Sequence, residues 1–332
     1  MKQFHIYGIG AALVDTEITL NDADLVQMAV AKGVMTLVDE NRQNQLIAYL
    51  QDNSVASHRA SGGSAANTII AASYFGCHNV YSCKVADDDN GKFYLDDLHS
   101  AGVVTPTHIQ PPEGITGKCL VMITPDAERT MNTFLGISET ISTAELDPQA
   151  IADSEYVYIE GYLVTSPSGK AAAIELAKIA KANRTKTALS LSDPAMVQFF
   201  RDGLLEMIGD GIDLIFCNRD EALGFTQTHS IQDACEALKK YCKQFAITCG
   251  GDGALVFDGK TQTHVSGSHV KAVDTNGAGD MFAGAFLYAL SQNKDFETAA
   301  KFANICAAKV VSQFGPRLNA DQYLELQKGF FS

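Results

Sequence analysis

Apolar residues are distributed differently in the two halves of the chain. In the second half, short apolar runs that are typical of buried strands alternate with longer amphipathic segments that are typical of helices. The predicted strands are 156–160, 187–192, 214–217, 245–248 and 254–257, and the predicted helices are 168–182, 202–208, 218–223, 231–241 and 295–314. This alternation predicts an α/β fold, a three-layer αβα sandwich around a mostly parallel sheet.

The first half begins in the same way and then changes. Residues 4–9 and 79–85 predict strands, and residues 41–50, 68–75 and 90–101 predict helices. The short strand-like runs at 16–20, 34–38, 105–109, 117–124 and 129–132 lack the crossover helices that a parallel sheet requires. We therefore expect a small β-sheet lid from about 14–38 and 104–134. With no repeat or linker, residues 1–332 form a single domain.

Composition and charge narrow the class of protein. The net charge of −14, from 25 basic and 39 acidic residues, argues against a nucleic-acid partner. The N-terminus lacks the apolar segment of a signal peptide, and no apolar run is long enough to span a membrane. The eight cysteines form no Cys-x-x-Cys pair, which favours a reduced, cytoplasmic protein.

The most informative stretch is Asp274-Thr275-Asn276-Gly277-Ala278-Gly279-Asp280, which follows strand-like sequence and opens a helix rich in small residues. The first N–H groups of a helix are unpaired and carry partial positive charge. With small residues over them, an anion such as phosphate can approach closely. Asp280 in this turn either complements the helix dipole or deprotonates a hydroxyl that attacks a phosphoryl group.

Two segments are candidates for binding the molecule that supplies this hydroxyl. Asp15 follows the first predicted strand, where a carboxylate can hold neighbouring sugar hydroxyls, or else it is a turn or cap residue. Gly62 and Gly63 let a ligand approach the backbone. Asn67, one turn into the next helix, points back to the same place, and Ser64 is a candidate cap for that helix.

Two further motifs follow strands of the second half. Asn218 and Glu221 lie three residues apart on one helical face, where they either orient water around a divalent cation or form an ordinary helix cap. Thr248, Gly250 and Gly253 belong to a glycine-rich strand end, and no Gly-Lys-Ser/Thr follows, which excludes a P-loop.

Together these motifs resemble the ribokinase-like (PfkB) family of sugar and nucleoside kinases. The resemblance covers nearly the whole chain, with the motifs in the family's order. It implies transfer of a phosphoryl group from ATP to an alcohol, with Mg²⁺ and, in many members, a monovalent cation such as K⁺.

The resemblance also implies a role for each motif. Asp280 matches the catalytic base, and the amides of Gly277, Ala278 and Gly279 match the anion hole for the transferred phosphoryl group. Arg129 matches an arginine of the lid, where it would act as a charge clamp on phosphate.

The other matched positions bind nucleotide, metal and acceptor. The nucleotide positions are Asn218, Thr248, Gly250, Gly253 and Asn304. The metal positions are Asn218 and Glu221 for magnesium, largely through water, and Asp274 and Thr275, with backbone near 312–315, for a monovalent cation. The acceptor positions are Asp15, Gly62, Gly63 and Asn67.

Within the family the chain resembles the branch that contains the adenosine kinases. A nucleoside needs a wall for its base, and Met122, Phe134 and Tyr162 are the candidates, each also a candidate core residue. Ala11 stands where many relatives carry asparagine, so a free sugar such as ribose or fructose is the alternative acceptor. A ligand-binding homologue without activity is the third hypothesis. We expect a monomer or a homodimer, with 34–38 as a candidate edge strand for pairing.

Overall fold

The computed structural model describes residues 2–52, 57–126 and 128–331, which form two β-sheets and their helices. The strands are β1 (Phe4–Ile9), β2 (Leu13–Thr19), β3 (Met35–Leu37), β4 (Ser57–Gly62), β5 (Asn79–Ser82), β6 (Gly117–Ile123), β7 (Arg129–Phe134), β8 (Ser154–Glu160), β9 (Lys186–Ser190), β10 (Ile212–Asn218), β11 (Cys242–Thr248), β12 (Ala254–Phe257) and β13 (Gln262–Val265). The helices are α1 (Asp22–Gln27), α2 (Glu40–Asp52), α3 (Ser64–Tyr74), α4 (Asp89–Ser100), α5 (Pro148–Ala152), α6 (Pro167–Ala182), α7 (Pro194–Ile208), α8 (Arg219–Thr226), α9 (Ile231–Leu238), α10 (Ala278–Ser291), α11 (Phe296–Val311) and α12 (Ala320–Phe331).

The large sheet has the order β13-β12-β11-β10-β9-β8-β1-β5. Strands β5, β1, β8, β9, β10 and β11 run parallel, and β12 and β13 add an antiparallel hairpin at one edge. Alternate side chains of each strand enter different cores, so that Ile6 packs on the side of α3, α10 and α11, and Tyr7 packs on the side of α6 and α7. The three-layer α/β prediction is confirmed.

The small sheet has the order β3-β7-β6-β2-β4 and mixes parallel and antiparallel pairs. Strand β4 was not predicted. The predicted strand at 105–109 is wrong, since this segment has no strand and only Val104 makes an isolated bridge to Val80. Pro106 within the segment has no N–H to donate to a ladder, which explains the difference.

Other boundaries also differ from the prediction. Helix α7 begins at Pro194 rather than 202, because the Asp193 side chain caps it and proline suits the first helical position. The predicted strand before Asp274 is absent, and the chain from the end of β13 to Gly277 runs as a loop. Within the described residues, no helix is both long enough and apolar enough to cross a membrane.

Candidate active site

Two cavities meet beneath the small sheet, at the carboxyl ends of the parallel strands. This edge of an open α/β sheet is where ligands bind. Four residues line both cavities, namely Ser64, Arg129, Ser192 and Asp280. The smaller cavity, of about 90 Å³, lies against the small sheet, and we call it the acceptor pocket. The larger, of about 510 Å³, follows the large sheet to α11, and we call it the nucleotide cleft.

The start of α10 is open toward the cleft. Gly277 is the N-cap residue, with a left-handed φ of 73°, and a Cβ there would lie 2.3 Å from the Pro316 carbonyl oxygen, so only glycine fits. Among the described residues, no side chain caps the helix. Apart from its chain neighbours and the backbone of its own helix, a Cβ on Gly279 would meet no atom of these residues within 4 Å. The predicted combination of a helix N-terminus with free space before it is therefore present.

The Asp280 carboxylate is held from two sides by α3. The Ser64 hydroxyl donates to Oδ1 at 2.6 Å, and the Asn67 amide donates to Oδ2 at 3.1 Å. Burial raises the pKa of Asp280, while these two hydrogen bonds and the charge of Arg129 oppose that rise. Ser64 does not cap α3, whose N-cap Gly63 has no side-chain bond, so that alternative is wrong. The Asp280 carboxylate is thereby fixed where the two cavities meet, and its role as a general base stays a prediction.

The polar part of the acceptor-pocket lining, which we call the floor, includes Asp15, Gly63 and Asn67, as predicted. Asp15 is only 6% exposed, and burial, followed by the nearby charge of Glu17, raises the pKa of Asp15 to about 8. A Cβ on Gly62 would lie 2.1 Å from the Asp15 carboxyl group, so Gly62 provides the room for that carboxyl group rather than touching the pocket itself.

Glu160, which was not predicted as a site residue, also lines this floor. Its carboxylate accepts hydrogen bonds from the amides of Ala11 at 3.2 Å and Ala65 at 2.8 Å. It thereby joins the loop after β1 to the first turn of α3, and burial raises the pKa of Glu160 to about 7. Its place at the carboxyl end of a parallel strand was the available sequence signal.

The apolar part of the lining, which we call the wall, comes mostly from the small sheet, to which Asp15 also belongs. Its residues are Leu13, Met35, Leu37, Met131 and Leu135, with Tyr162 from the turn after β8. Of the three predicted wall residues, only Tyr162 lines the pocket.

Met122 and Phe134 are not among the pocket-lining residues. Met122 is fully buried in the core between the small sheet and helices α1 and α2. Phe134 belongs to the strand whose alternate residues Arg129 and Met131 line the pocket, and the two-residue period places it on the opposite face. Met131 therefore lies where Phe134 was expected.

The nucleotide cleft collects the remaining predicted positions. Its lining includes Asn218, Glu221, Thr248, Gly250, Gly253, Thr275 and Asn304. Asn304 donates to the carbonyl oxygens of Val265 and Ser266, both at 3.2 Å, and so holds the loop after β13. His269, which was not predicted, lies on this loop and also lines the cleft.

Asn218 and Glu221 form a complete helix cap. The backbone N–H of Glu221 donates to Asn218 Oδ1 at 2.8 Å, and the backbone N–H of Asn218 donates to Glu221 Oε2 at 3.0 Å. Burial raises the pKa of Glu221 to about 7. In the described part of the chain, no group of three or more His, Cys, Asp and Glu side chains could hold a metal ion.

Asp274 ties together the loops beside the start of α10. Its Oδ1 accepts from the amide of Asn276 at 2.8 Å, and its Oδ2 accepts from the amide of Gly315 at 3.0 Å. Asp274 is fully buried, whereas Thr275 is exposed in the cleft.

A carboxylate fixed between a pocket for small molecules and an open helix N-terminus is the arrangement of a phosphotransferase that acts on alcohols. The model of the pfkB family carbohydrate kinases matches residues 43–322, and the chain belongs to this family. It is an ATP-dependent kinase of nucleosides or sugars.

Its relatives include kinases of both kinds of acceptor. The adenosine kinase of Saccharomyces cerevisiae is 29% identical over 314 residues, which is 89% of this chain and 88% of that protein. The ribokinase of Haemophilus influenzae is 30% identical over 266 residues, 77% of this chain and 82% of that protein. The adenosine kinase structure from Sinorhizobium meliloti is 33% identical with a TM-score of 0.92, covering 98% of this chain and 99% of that chain. The structure of a probable sugar kinase from Rhizobium etli CFN 42 is 31% identical, also with a TM-score of 0.92, covering 99% of this chain and 100% of that chain.

Proposed function

We propose that this kinase transfers the γ-phosphoryl group of ATP to the primary hydroxyl of a nucleoside of the adenosine type. The observation that carries the proposal is the division of the acceptor pocket into a polar floor and an apolar wall. A nucleoside has the same division, since its ribose is polar and the faces of its base are apolar. The relatives named adenosine kinase support this choice.

In this mechanism the floor binds the ribose and presents its primary hydroxyl to Asp280. Asp15 and the backbone at Gly63 hold the ring hydroxyls, and Asn67 orients both the ribose and the Asp280 carboxylate. Asp280 accepts the proton as the hydroxyl oxygen attacks phosphorus and the bond to the ADP oxygen breaks.

The charge that develops on the transferred phosphoryl group is stabilised from two directions. On one side we assign this role to the amides of Gly277, Ala278 and Gly279 at the start of α10, where the Ala278 N–H also makes a long hydrogen bond of 3.4 Å to the Thr275 carbonyl oxygen. Arg129 approaches from the small sheet, which acts as a lid and excludes water from the reacting groups.

Magnesium fits this cleft in an indirect way. Because Asn218 and Glu221 already bond to each other, the ion would be held by the phosphates and water, with these two side chains accepting bonds from that water. The ion would neutralise charge on the phosphates. Both carboxylate oxygens of Asp274 accept hydrogen bonds from backbone amides. A requirement for K⁺ near Asp274 and Thr275 stays a prediction, and the experiment below tests it.

A free sugar is the second candidate acceptor. The ribokinase relative and the carboxyl group of Glu160, an additional polar group in the floor, favour it. We also expect the enzyme to work in the cytoplasm, in line with its eight free cysteines, as a monomer or a homodimer.

The test is ADP release from Mg-ATP with adenosine, other nucleosides, ribose, fructose and fructose phosphates, each with and without potassium. We expect turnover with a nucleoside at a KM well below that of any sugar. Turnover with sugars alone would replace the nucleoside proposal by the sugar proposal. Light scattering on the same preparation gives the oligomeric state.

A further inference from the structure

Arg129 contacts a neutral partner although it lies among carboxyl groups. Its Nη1 donates to Oδ1 of Asn276 at 2.9 Å. Burial raises the pKa values of Asp15, Asp280 and Glu221, and the charge of Arg129 opposes each rise. The cation therefore lies near all three carboxyl groups. The guanidinium group thus bonds to the amide oxygen of Asn276 and not to a nearby carboxylate, and the surroundings of Asn276 are where a reason is to be sought.

The position of Asn276 is fixed by its backbone. Its side chain is 6% exposed, and its amide N–H donates to Asp274 at 2.8 Å, one residue before the N-cap of α10. Its side-chain nitrogen is buried and has no hydrogen-bond partner among the described residues. The carboxylate of Glu17, whose Oε1 is also buried and without a partner there, is close enough for the Asn276 amide to lower the pKa of Glu17.

The Asn276 amide presents its oxygen to Arg129, while its nitrogen makes no hydrogen bond with any described residue. Glu17 lies near this amide, and Glu17 and Asp15 share a face of β2 because they are two residues apart in that strand.

We propose that Asn276 is a positioning residue that holds Arg129 at the junction of the two cavities until the triphosphate arrives. A hydrogen bond from a guanidinium group to a neutral amide is weaker than one to an anion. Arg129 can therefore leave Asn276 for a phosphate oxygen, whereas it would leave the Asp280 carboxylate much less readily. The inference rests on the proposed role of Arg129 as a phosphate clamp.

A purely structural role for Asn276, as a residue that shapes the loop before α10, makes a different prediction. In that case removal of its side chain would impair the enzyme equally whether or not Arg129 is present. If Asn276 acts through Arg129, the two substitutions must be strongly non-additive.

The experiment is a double-mutant cycle on the full chain, comparing wild type, Asn276→Ala, Arg129→Ala and the double variant. We measure kcat and the KM for ATP with the acceptor found in the panel. Asn276→Ala should lower kcat/KM for ATP about tenfold in the wild-type background, because Arg129 would then pair with the Asp280 carboxylate and would have to leave this stronger partner for the phosphate. In the Arg129→Ala background it should change kcat/KM by less than about twofold.

Equal losses in both backgrounds would overturn the inference and leave the clamp intact. Near-normal activity of Arg129→Ala would instead remove the clamp, and the inference with it. In a second variant, Asn276→Asp, the new side chain has the same shape but carries a negative charge that holds Arg129 in an ion pair. This substitution should therefore raise the KM for ATP more when Arg129 is present than in the Arg129→Ala background. The control is Asn132→Ala. Asn132 is a buried residue of β7 whose side chain lies on the face of the strand opposite to that of Arg129, and this substitution should alter kcat/KM by less than about twofold.

Discussion

The acceptor pocket and the nucleotide cleft meet at Asp280 and are built from different groups. The pocket presents buried carboxyl groups, Asp15 and Glu160, together with apolar side chains. The cleft presents backbone, with Gly253 and Gly277 at φ values of 94° and 73° that other residues rarely adopt.

The difference follows from the charges of the two ligands. Hydroxyl groups are neutral donors, so carboxyl groups can bind them even in a small buried pocket. A triphosphate is an anion, and backbone N–H groups stabilise it without the long side chains that would fill the cleft. In an acidic protein of net charge −14, we expect this division to let one chain bind both ligands side by side.

The largest effect is expected where the two cavities join. Asp280→Asn removes the proton acceptor while keeping the size of the side chain, and should lower kcat by about 10²–10⁴. Binding of both ligands should be retained, as measured by calorimetry on the same variant. Turnover close to that of wild type would show that another group is the base.

A matched pair of glycines tests the backbone of the cleft. Gly277→Ala forces a left-handed residue against the Pro316 carbonyl and should destabilise the fold by roughly 1–3 kcal/mol. Gly279→Ala places a methyl group in open space, so thermal stability should be unchanged while the KM for ATP rises about tenfold, the equivalent of ~1.4 kcal/mol of binding. An unchanged KM in Gly279→Ala would contradict approach of the triphosphate over this turn.

Two apolar residues of β7 test the wall of the pocket. Met131→Ala removes a lining side chain and should raise the KM for the acceptor about tenfold, with little change in the KM for ATP. Phe134→Ala is the control, since this side chain does not line the pocket, and its acceptor KM should stay within about twofold of wild type. A higher acceptor KM for Phe134→Ala but not for Met131→Ala would mean that the nucleoside base binds on the face of β7 that carries Phe134.

The last prediction concerns the stability of the empty protein and its dependence on pH. Because burial raises the pKa of Asp15 from 3.8 to about 8, the folded state keeps a proton that the unfolded state loses. Stability is therefore lost as the pH rises from about 4 to 8, by at most about 1.4 kcal/mol per pH unit. Urea unfolding of the empty protein at pH 5, 6 and 7 should show a shallower loss for Asp15→Asn than for wild type. Equal slopes would mean that Asp15 is ionised in the folded state.

The two regions also differ in how far the sequence predicted them. The turn at Gly277–Asp280 was predictable because the helix start, the glycines and the acid are all local in sequence. The acceptor wall was not, because it depends on strand faces and on which strands pair. Met122 and Phe134 are both bulky and apolar, but the face of each strand was needed to separate them from Met131.

The sequence also did not predict that Glu160 belongs to the site. Its strand was predicted, but its partners Ala11 and Ala65 lie about 150 and 95 residues away, and only the fold brings them together. Met35 and Leu37 reach the pocket through pairing of β3 with β7, which no short-range pattern specifies. Strand β4 was missed for the same reason.

We expect the two cavities to be occupied together, one on each side of Asp280. The direct test is calorimetric titration of the acceptor, with its phosphate-accepting hydroxyl replaced by hydrogen, into protein saturated with a non-hydrolysable ATP analogue. We predict one acceptor site per chain, with an affinity at least equal to that of the protein without the analogue. Complete loss of acceptor binding in the presence of the analogue would show that the two ligands compete for one cavity and would contradict the account.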